Sequence, residues 1–187
     1  MNFAELVTEV TLWAKAPHMD AGIRAAIRSV TLKYHRKEKF WRDISTVGLV
    51  GLPTTDFVQV LDIAANFPRF RQLLSVEGCE IVQPGDLLQQ DGRPRLNMAI
   101  LAGTSLNIKR SIAFNAVAIS YYQDPIVSPE GSYASWIADT QPDLIVCGAA
   151  ARVLAWNAES EIYKAAIVEE QQQWIELLQN NIEGQGR

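Results

Sequence analysis

Several features that mark common classes of protein are scarce in this sequence. The chain has two cysteines and two histidines, and neither His18 nor His35 has a cysteine, histidine or paired carboxylate at metal-ligand spacing. No apolar stretch approaches the roughly 18 residues that a membrane span requires. The first fifteen residues contain Glu5 and Glu9, where a signal peptide would be basic and then apolar. We therefore expect a soluble protein made in the cytoplasm, with both histidines at its surface.

Catalytic patterns are missing as well. No serine lies in a Gly-x-Ser-x-Gly turn, and no glycine pattern forms a phosphate loop or a dinucleotide fingerprint. Acidic pairs such as Glu169 and Glu170 occupy adjacent helix positions, which do not converge on a substrate. Cys79 and Cys147 lie far apart in the sequence and are predicted to be buried free thiols. We expect no enzymatic activity, no metal and no cofactor.

Charge is distributed unevenly along the 187 residues. Residues 1–50 hold 8 basic and 5 acidic side chains, residues 51–123 hold 6 and 6, and residues 124–187 hold 3 and 10. A basic front and an acidic back can set the order of head-to-tail contacts between neighbouring subunits. The alternative is a pair of solvated helix faces.

The N-terminal region has the periodicity of two amphipathic helices. In the first helix the apolar positions recur every three or four residues, and in the second helix Asp20 is a candidate N-cap. The second helix is predicted to end near Phe40 or Trp41. The predicted apolar faces are Phe3, Leu6, Val7, Val10 and Trp13 in the first helix, and Ile23, Ile27, Val30 and Tyr34 in the second.

The middle of the chain favours β-structure. Residues 57–63 form a candidate strand, residues 96–108 alternate as an antiparallel hairpin, and residues 114–122 form a further strand. The stretch from Arg69 to Val76 has no clear assignment, and the role of residues 69–95 stays open.

Helical patterns return after residue 140. Pro142 is well placed in a first helical turn, and residues 144–156 are apolar almost all round, which is typical of a central helix. A last helix is predicted over residues 159–180. Its apolar face is Tyr163, Ala166, Ile167, Trp174, Leu177 and Leu178.

This layout predicts an α+β fold. We expect an antiparallel helical bundle, built from two N-terminal and two C-terminal helices, with a central small antiparallel β-sheet wing. Residues 1–50 and 132–182 form the predicted helical body, residues 51–131 the β-rich wing, and residues 183–187 a flexible tail. The chain is one main domain overall.

The second helix carries a basic cluster interleaved with aromatic residues. Basic and aromatic side chains together can bind nucleic-acid phosphates and stack on bases, whereas the pI near 5.2 favours a helix face that meets an acidic protein neighbour. Both interpretations remain open. The cluster consists of Arg24, Arg28, Lys33, Arg36, Lys37, Lys39 and Arg42, together with Tyr34, Phe40 and Trp41.

Four stretches, in order, resemble the head-to-tail adaptor, or head completion, proteins of tailed bacteriophages. The first is the helix from Ala21 to Arg28 with its continuation from Tyr34 to Trp41. The second is the strand region that closes with Ile119 to Pro125. The third runs from Ser135 to Ile137, then from Pro142 to Ile145, and then through the small residues Gly148 to Ala151. The fourth is the acidic, glutamine-rich final helix.

The resemblance implies a structural protein of the virion neck, between head and tail. Such proteins form a ring of about twelve copies below the portal protein, contact a tail or tail-terminator protein, and let DNA pass without sequence-specific binding. Other neck or tail rings, such as a tail terminator, and a virion-associated peptidoglycan hydrolase are the alternatives. The residues expected to contact partners are Arg24, Arg28, Arg36, Lys37, Tyr163, Glu170, Trp174, Asn180 and Arg187.

Overall fold

A computed structural model of the chain describes residues 1–50, 58–83, 97–109, 116–155 and 160–185. In chain order the elements are α1 (Phe3–Ala14), α2 (Asp20–Lys37), β1 (Ile44–Val50), β2 (Val58–Asp62), α3 (Ile63–Asn66), β3 (Phe70–Val76), β4 (Glu80–Ile81), β5 (Met98–Ala102), β6 (Ser105–Lys109), β7 (Ala116–Gln123), α4 (Trp136–Thr140), α5 (Pro142–Leu154) and α6 (Glu161–Gln185). The fold is therefore mixed α+β, as the sequence predicted. None of the described helices is both long and apolar enough to cross a membrane.

The chain divides into two compact units. The helical unit comprises Met1–Arg42 and Pro125–Arg187, and the β-rich unit comprises Asp43–Asp124. The helical body predicted over residues 1–50 is too long, because Ile44–Val50 forms strand β1 of the β-rich unit. The alternation of this strand is interrupted by Gly48, which leaves only a weak strand signal in the sequence.

Helix α1 begins with a reciprocal capping box. The Asn2 side chain accepts a hydrogen bond from the Glu5 amide, and the Glu5 carboxylate accepts one from the Asn2 amide. The helix ends at Ala14, and Lys15 follows in the left-handed conformation with φ 51°. Asp20 does not cap α2 as predicted. It is the first helical residue, and its carboxylate pairs instead with Arg24 at 2.8 Å.

Helix α5 lies at the centre of the helical unit. It packs against α1, α2 and α6, and nearly all of its residues from Leu144 to Leu154 are buried. A helix that is apolar all round needs cover on most sides, which three neighbouring helices supply. The prediction of a central helix is confirmed for the described residues up to 154, and Trp156 lies outside them.

Helix α6 is longer than its apolar pattern indicates. The pattern predicts an end near Asn180, whereas the helix continues to Gln185 and takes in part of the predicted tail. The intrinsic helix propensities of glutamate, glutamine and isoleucine, which occur after position 180, are compatible with this extension. Residues 186 and 187 lie outside the described part of the chain.

The β-rich unit contains two sheets, where the sequence predicted one. A three-stranded antiparallel sheet has the order β1-β7-β3, and a four-stranded sheet has the order β2-β6-β5-β4. The hairpin of β5 and β6 is antiparallel, as predicted, whereas β4 pairs with β5 in parallel. The previously unassigned stretch near residue 70 is strand β3. Residues 57 and 114, where two strands were predicted to begin, lie outside the described residues.

Candidate functional site

An aromatic cluster joins α2, α4 and α6 in the helical unit; it consists of Tyr34, Phe40, Trp136 and Trp174. The Tyr34 and Trp174 rings stack with their centroids 5.7 Å apart. The Phe40 ring makes edge-to-face contacts with Trp136 and Trp174, at centroid separations of 5.0 and 6.2 Å. Tyr34 and Phe40 are fully buried. Aromatic pairs of this kind contribute roughly 0.5–1.5 kcal/mol beyond their buried area. The cluster therefore fixes the position of α6 against α2.

Two lysines of α2 extend this contact to α6. The Lys33 ammonium pairs with Glu170 at 2.7 Å, and the Lys37 ammonium lies 4.1 Å from the centroid of the Trp174 ring. Trp174 thus contacts both a cation and the Tyr34 ring. Three residues predicted to contact partners, Lys37, Glu170 and Trp174, come together here within one chain.

The Tyr34 hydroxyl is enclosed by α5 and α6. Burial, followed by the Glu170 carboxylate, which lies close to the hydroxyl but outside hydrogen-bond distance or angle, raises the pKa of Tyr34 well above its ordinary value. Among the residues that the structure describes, this hydroxyl has no hydrogen-bond partner. A side chain at Gly148 would collide with it, so the glycine is what allows the tyrosine to fit. Tyr34 is a packing residue with a neutral phenol.

Arg24 and Arg28 converge on a single carboxylate. Arg24 donates to one oxygen of Glu130, and Arg28 pairs with the other oxygen at 3.4 Å. Glu130 lies in the turn that precedes α4, so the ion pairs connect α2 with the returning chain. These two arginines, predicted as partner contacts, are compensated inside the helical unit.

The remaining predicted contact residues differ in their exposure. Arg36 and Asn180 are exposed, and Tyr163 is half-buried against the helical core. Arg187 lies outside the described residues. The structure therefore gathers only part of the predicted set into a common surface.

His35 is buried and not at the surface as predicted. It is 1% exposed, its Nε2 lies 2.9 Å from the Ser135 hydroxyl, and its ring meets the Trp136 ring edge-on at 5.6 Å. Helix positions 31 and 35 adjoin the apolar stripe, so the buried face of α2 is wider than its apolar residues indicate. Thr31, which bonds to Tyr133 at 3.0 Å, is buried for the same reason.

The Ser135–His35 pair serves the local fold. The Ser135 hydroxyl accepts a hydrogen bond from the Ala138 amide and so caps α4. Both residues are buried, Ser135 being only 4% exposed. A nucleophile must reach its substrate, and this hydroxyl is closed off from solvent. His18, in contrast, is exposed as predicted.

The two cysteines differ in their surroundings. Cys147 is buried in α5, and burial, followed by the charges of nearby acidic residues, raises the pKa of its thiol to about 12. Cys79 is only half-buried, which corrects the prediction of two buried thiols. Both are free. Within the described ranges, no cluster of three or more histidine, cysteine or acidic side chains is arranged to hold a metal ion.

A cleft of about 100 Å³ opens beside the aromatic cluster; we call it the Arg42 cleft. The guanidinium carbon of Arg42 lies 5.3 Å from the centre of the Trp41 ring and 5.2 Å from that of Trp136. The sequence places Trp41 and Arg42 in the basic cluster. It does not predict a cleft, because the remaining lining residues are distant in the sequence. The lining residues are Trp41, Arg42, Trp136, Thr140, Gln141, Leu177, Asn180 and Asn181.

No known family model matches the chain, and a search of curated proteins found no match.

Proposed function

We propose that this chain is a structural head-to-tail adaptor of a tailed bacteriophage. It forms a ring of about twelve copies below the portal protein, connects the capsid to the tail, and lets DNA pass through the ring. Its place is the neck of the virion. It works by contacts with identical and unlike protein neighbours and performs no catalysis.

The observation that carries the proposal is the way in which the adaptor-like stretches come together. Tyr34 and Phe40 belong to the first stretch, Trp136 and Gly148 to the third, and Trp174 to the final helix. Those side chains form the aromatic cluster and the glycine contact beneath it. The resemblance thus rests on residues that build one common core. This supports a fold shared with the adaptor proteins more strongly than similar composition would.

The arrangement of the elements is also compatible with an adaptor. In this proposal the four longer helices form an antiparallel bundle that meets neighbouring subunits, and the β-rich unit is the wing. The basic excess of residues 1–50 and the acidic excess of residues 124–187 favour one head-to-tail order of subunits. Contacts of this heterologous kind close into rings when the rotation between subunits permits.

The test is to mix the purified chain with the portal protein of the phage that encodes it and, separately, with the tail-tube protein. We expect co-purification with the portal and a ring-shaped density below it in negative-stain images. If the chain binds the tail-tube protein alone, its function is that of a tail terminator and not of an adaptor. If neither protein binds and no ring forms at micromolar concentrations, the proposal is wrong.

A further inference from the structure

We infer that the Arg42 cleft docks an acidic segment of an unlike protein, with the Arg42 guanidinium receiving a carboxylate from that segment. This inference goes beyond the adaptor proposal and does not depend on it, because it concerns the chemistry of one surface of the helical unit.

Arg42 is held in place without being neutralised. Its contacts within the described part of the chain are the Trp41 and Trp136 rings, at 5.3 and 5.2 Å from its guanidinium carbon. Arg24 and Arg28, in contrast, pair with Glu130. Aromatic rings attract the cation while its N–H donors remain available for the bidentate bond that a carboxylate makes. The rings therefore preorganise Arg42 for an acidic ligand.

The walls of the cleft are rigid on one side and open on the other. Trp136 is fixed by the edge of Phe40 at 5.0 Å, and the Gln141 amide is bound to Gln173 at 2.8 Å. Trp41 is 47% exposed, so one wall is accessible from solvent. A partner residue can therefore enter past Trp41 and meet a surface that is already formed.

Two asparagines supply further polar groups. Asn180 and Asn181 line the cleft, and neither side chain makes a hydrogen bond to any residue that the structure describes. An asparagine side chain offers two donors and one acceptor, which suits the N–H and C=O groups of an extended peptide. The combination of a carboxylate receptor with peptide-binding amides favours a polypeptide ligand.

The local charge also favours an acidic ligand. Residues 36–42 contain four basic side chains and one acidic one. Two acidic residues of α6 are engaged within the chain: Glu170 pairs with Lys33, and Glu176 accepts hydrogen bonds from Gln141 and Gln172. These two carboxylates are therefore not available to the Arg42 of a second copy, and we assign the ligand to an unlike protein. The cleft of about 100 Å³ has room for one carboxylate side chain.

The experiment measures fluorescence polarisation of a labelled Glu-Glu-Leu-Glu-Glu peptide on titration with the full chain. A Gln-Gln-Leu-Gln-Gln peptide and a short thymidine oligonucleotide of matched charge are the comparison probes. We expect the acidic peptide to bind, Arg42→Gln to weaken it about tenfold or more, and Arg42→Lys to restore it only in part. Lys164→Gln removes the same charge from an exposed site on α6 and is expected to leave binding within about twofold.

Because Arg42 is exposed, its variants are expected to unfold at the wild-type temperature, which separates lost binding from lost folding. Absence of peptide binding, or equal binding by Arg42→Gln, would overturn the inference. Tighter binding of the oligonucleotide would assign the cleft to nucleic acid. Self-association that Arg42→Gln abolishes, without peptide binding, would assign it to a second copy. Binding to the portal or tail tube, the readout for the adaptor proposal, is measured separately.

Discussion

The hydroxyl of Tyr34 fills the space that any side chain at position 148 would need. A Cβ on Gly148 would collide with that oxygen and would lie 3.0 Å from the Val30 methyl carbon Cγ1. Helices α2 and α5 approach closely at this point only because residue 148 has no side chain.

Gly148→Ala is therefore expected to destabilise the helical unit by about 1–3 kcal/mol through overpacking. Urea denaturation followed by circular dichroism measures this change. Gly131→Ala is the control, because a Cβ at Gly131 meets nothing within 4 Å. Adding Tyr34→Phe to Gly148→Ala is expected to recover part of the loss. Equal losses in the single and double variants would show that the hydroxyl is not the obstacle.

Tyr34→Phe alone is expected to raise the free energy of unfolding at neutral pH by about 1 kcal/mol. The variant removes a buried hydroxyl that has no hydrogen-bond partner among the described residues, while the ring stacking with Trp174 is retained. A clear loss of stability would instead indicate that the hydroxyl is bonded in solution.

The difference in stability between Tyr34→Phe and the wild type is expected to increase at alkaline pH. The pKa of Tyr34 is raised in the folded chain above its ordinary value of 10.0, so the phenol favours folding below pH 10. This contribution decreases as the pH rises above 10, because the unfolded chain then loses the proton more readily. Tyr34→Phe lacks this dependence, so its advantage over the wild type is expected to grow between pH 8 and pH 11. A difference in stability that stays constant over this pH range would show that the pKa of Tyr34 is not raised in the folded chain.

The two thiols are expected to react at very different rates with iodoacetamide. Cys147 is buried and its pKa is raised to about 12, so almost no thiolate is present at pH 8, whereas Cys79 is half-buried. Mass spectrometry of peptides from the native chain is expected to show alkylation of Cys79 first. The urea-denatured chain, in which both thiols react, is the control. Rapid modification of native Cys147 would indicate that α5 is not enclosed as described.

Glu130→Gln is expected to lower the melting temperature only slightly, because the ion pairs to Arg24 and Arg28 are about one-third exposed and are screened by water. The difference from wild type is expected to shrink in 1 M salt. Thermal unfolding at low and high salt measures it. A loss that salt does not reduce would indicate that Glu130 contributes by packing.

The helices could be predicted because their apolar residues follow the helical period. The stripe of Ile23, Ile27, Val30 and Tyr34 is buried as expected. The prediction that His35 is exposed is wrong because its burial depends on the Ser135 hydroxyl, which lies 100 residues away in the sequence. Local pattern does not contain that contact.

The sheets and the cleft were harder to predict for the same reason. Strand β3 of the three-stranded sheet alternates only weakly, and β4 of the four-stranded sheet has two residues, so both sheets depend on pairing that local sequence does not encode. The Arg42 cleft needs residues from α4 and α6 beside Trp41, which only the folded chain brings together.

The β-rich unit begins and ends at neighbouring points, because Ile44 pairs with Tyr122 in adjacent strands. Its 43–124 segment is thus an insertion between two halves of the helical unit. During synthesis the inserted unit is complete before α4, α5 and α6 exist. Helices α1 and α2 therefore lack their packing partner α5 during that time. The apolar faces of α1 and α2 that pack on α5 consequently remain uncovered until α5 has been synthesised.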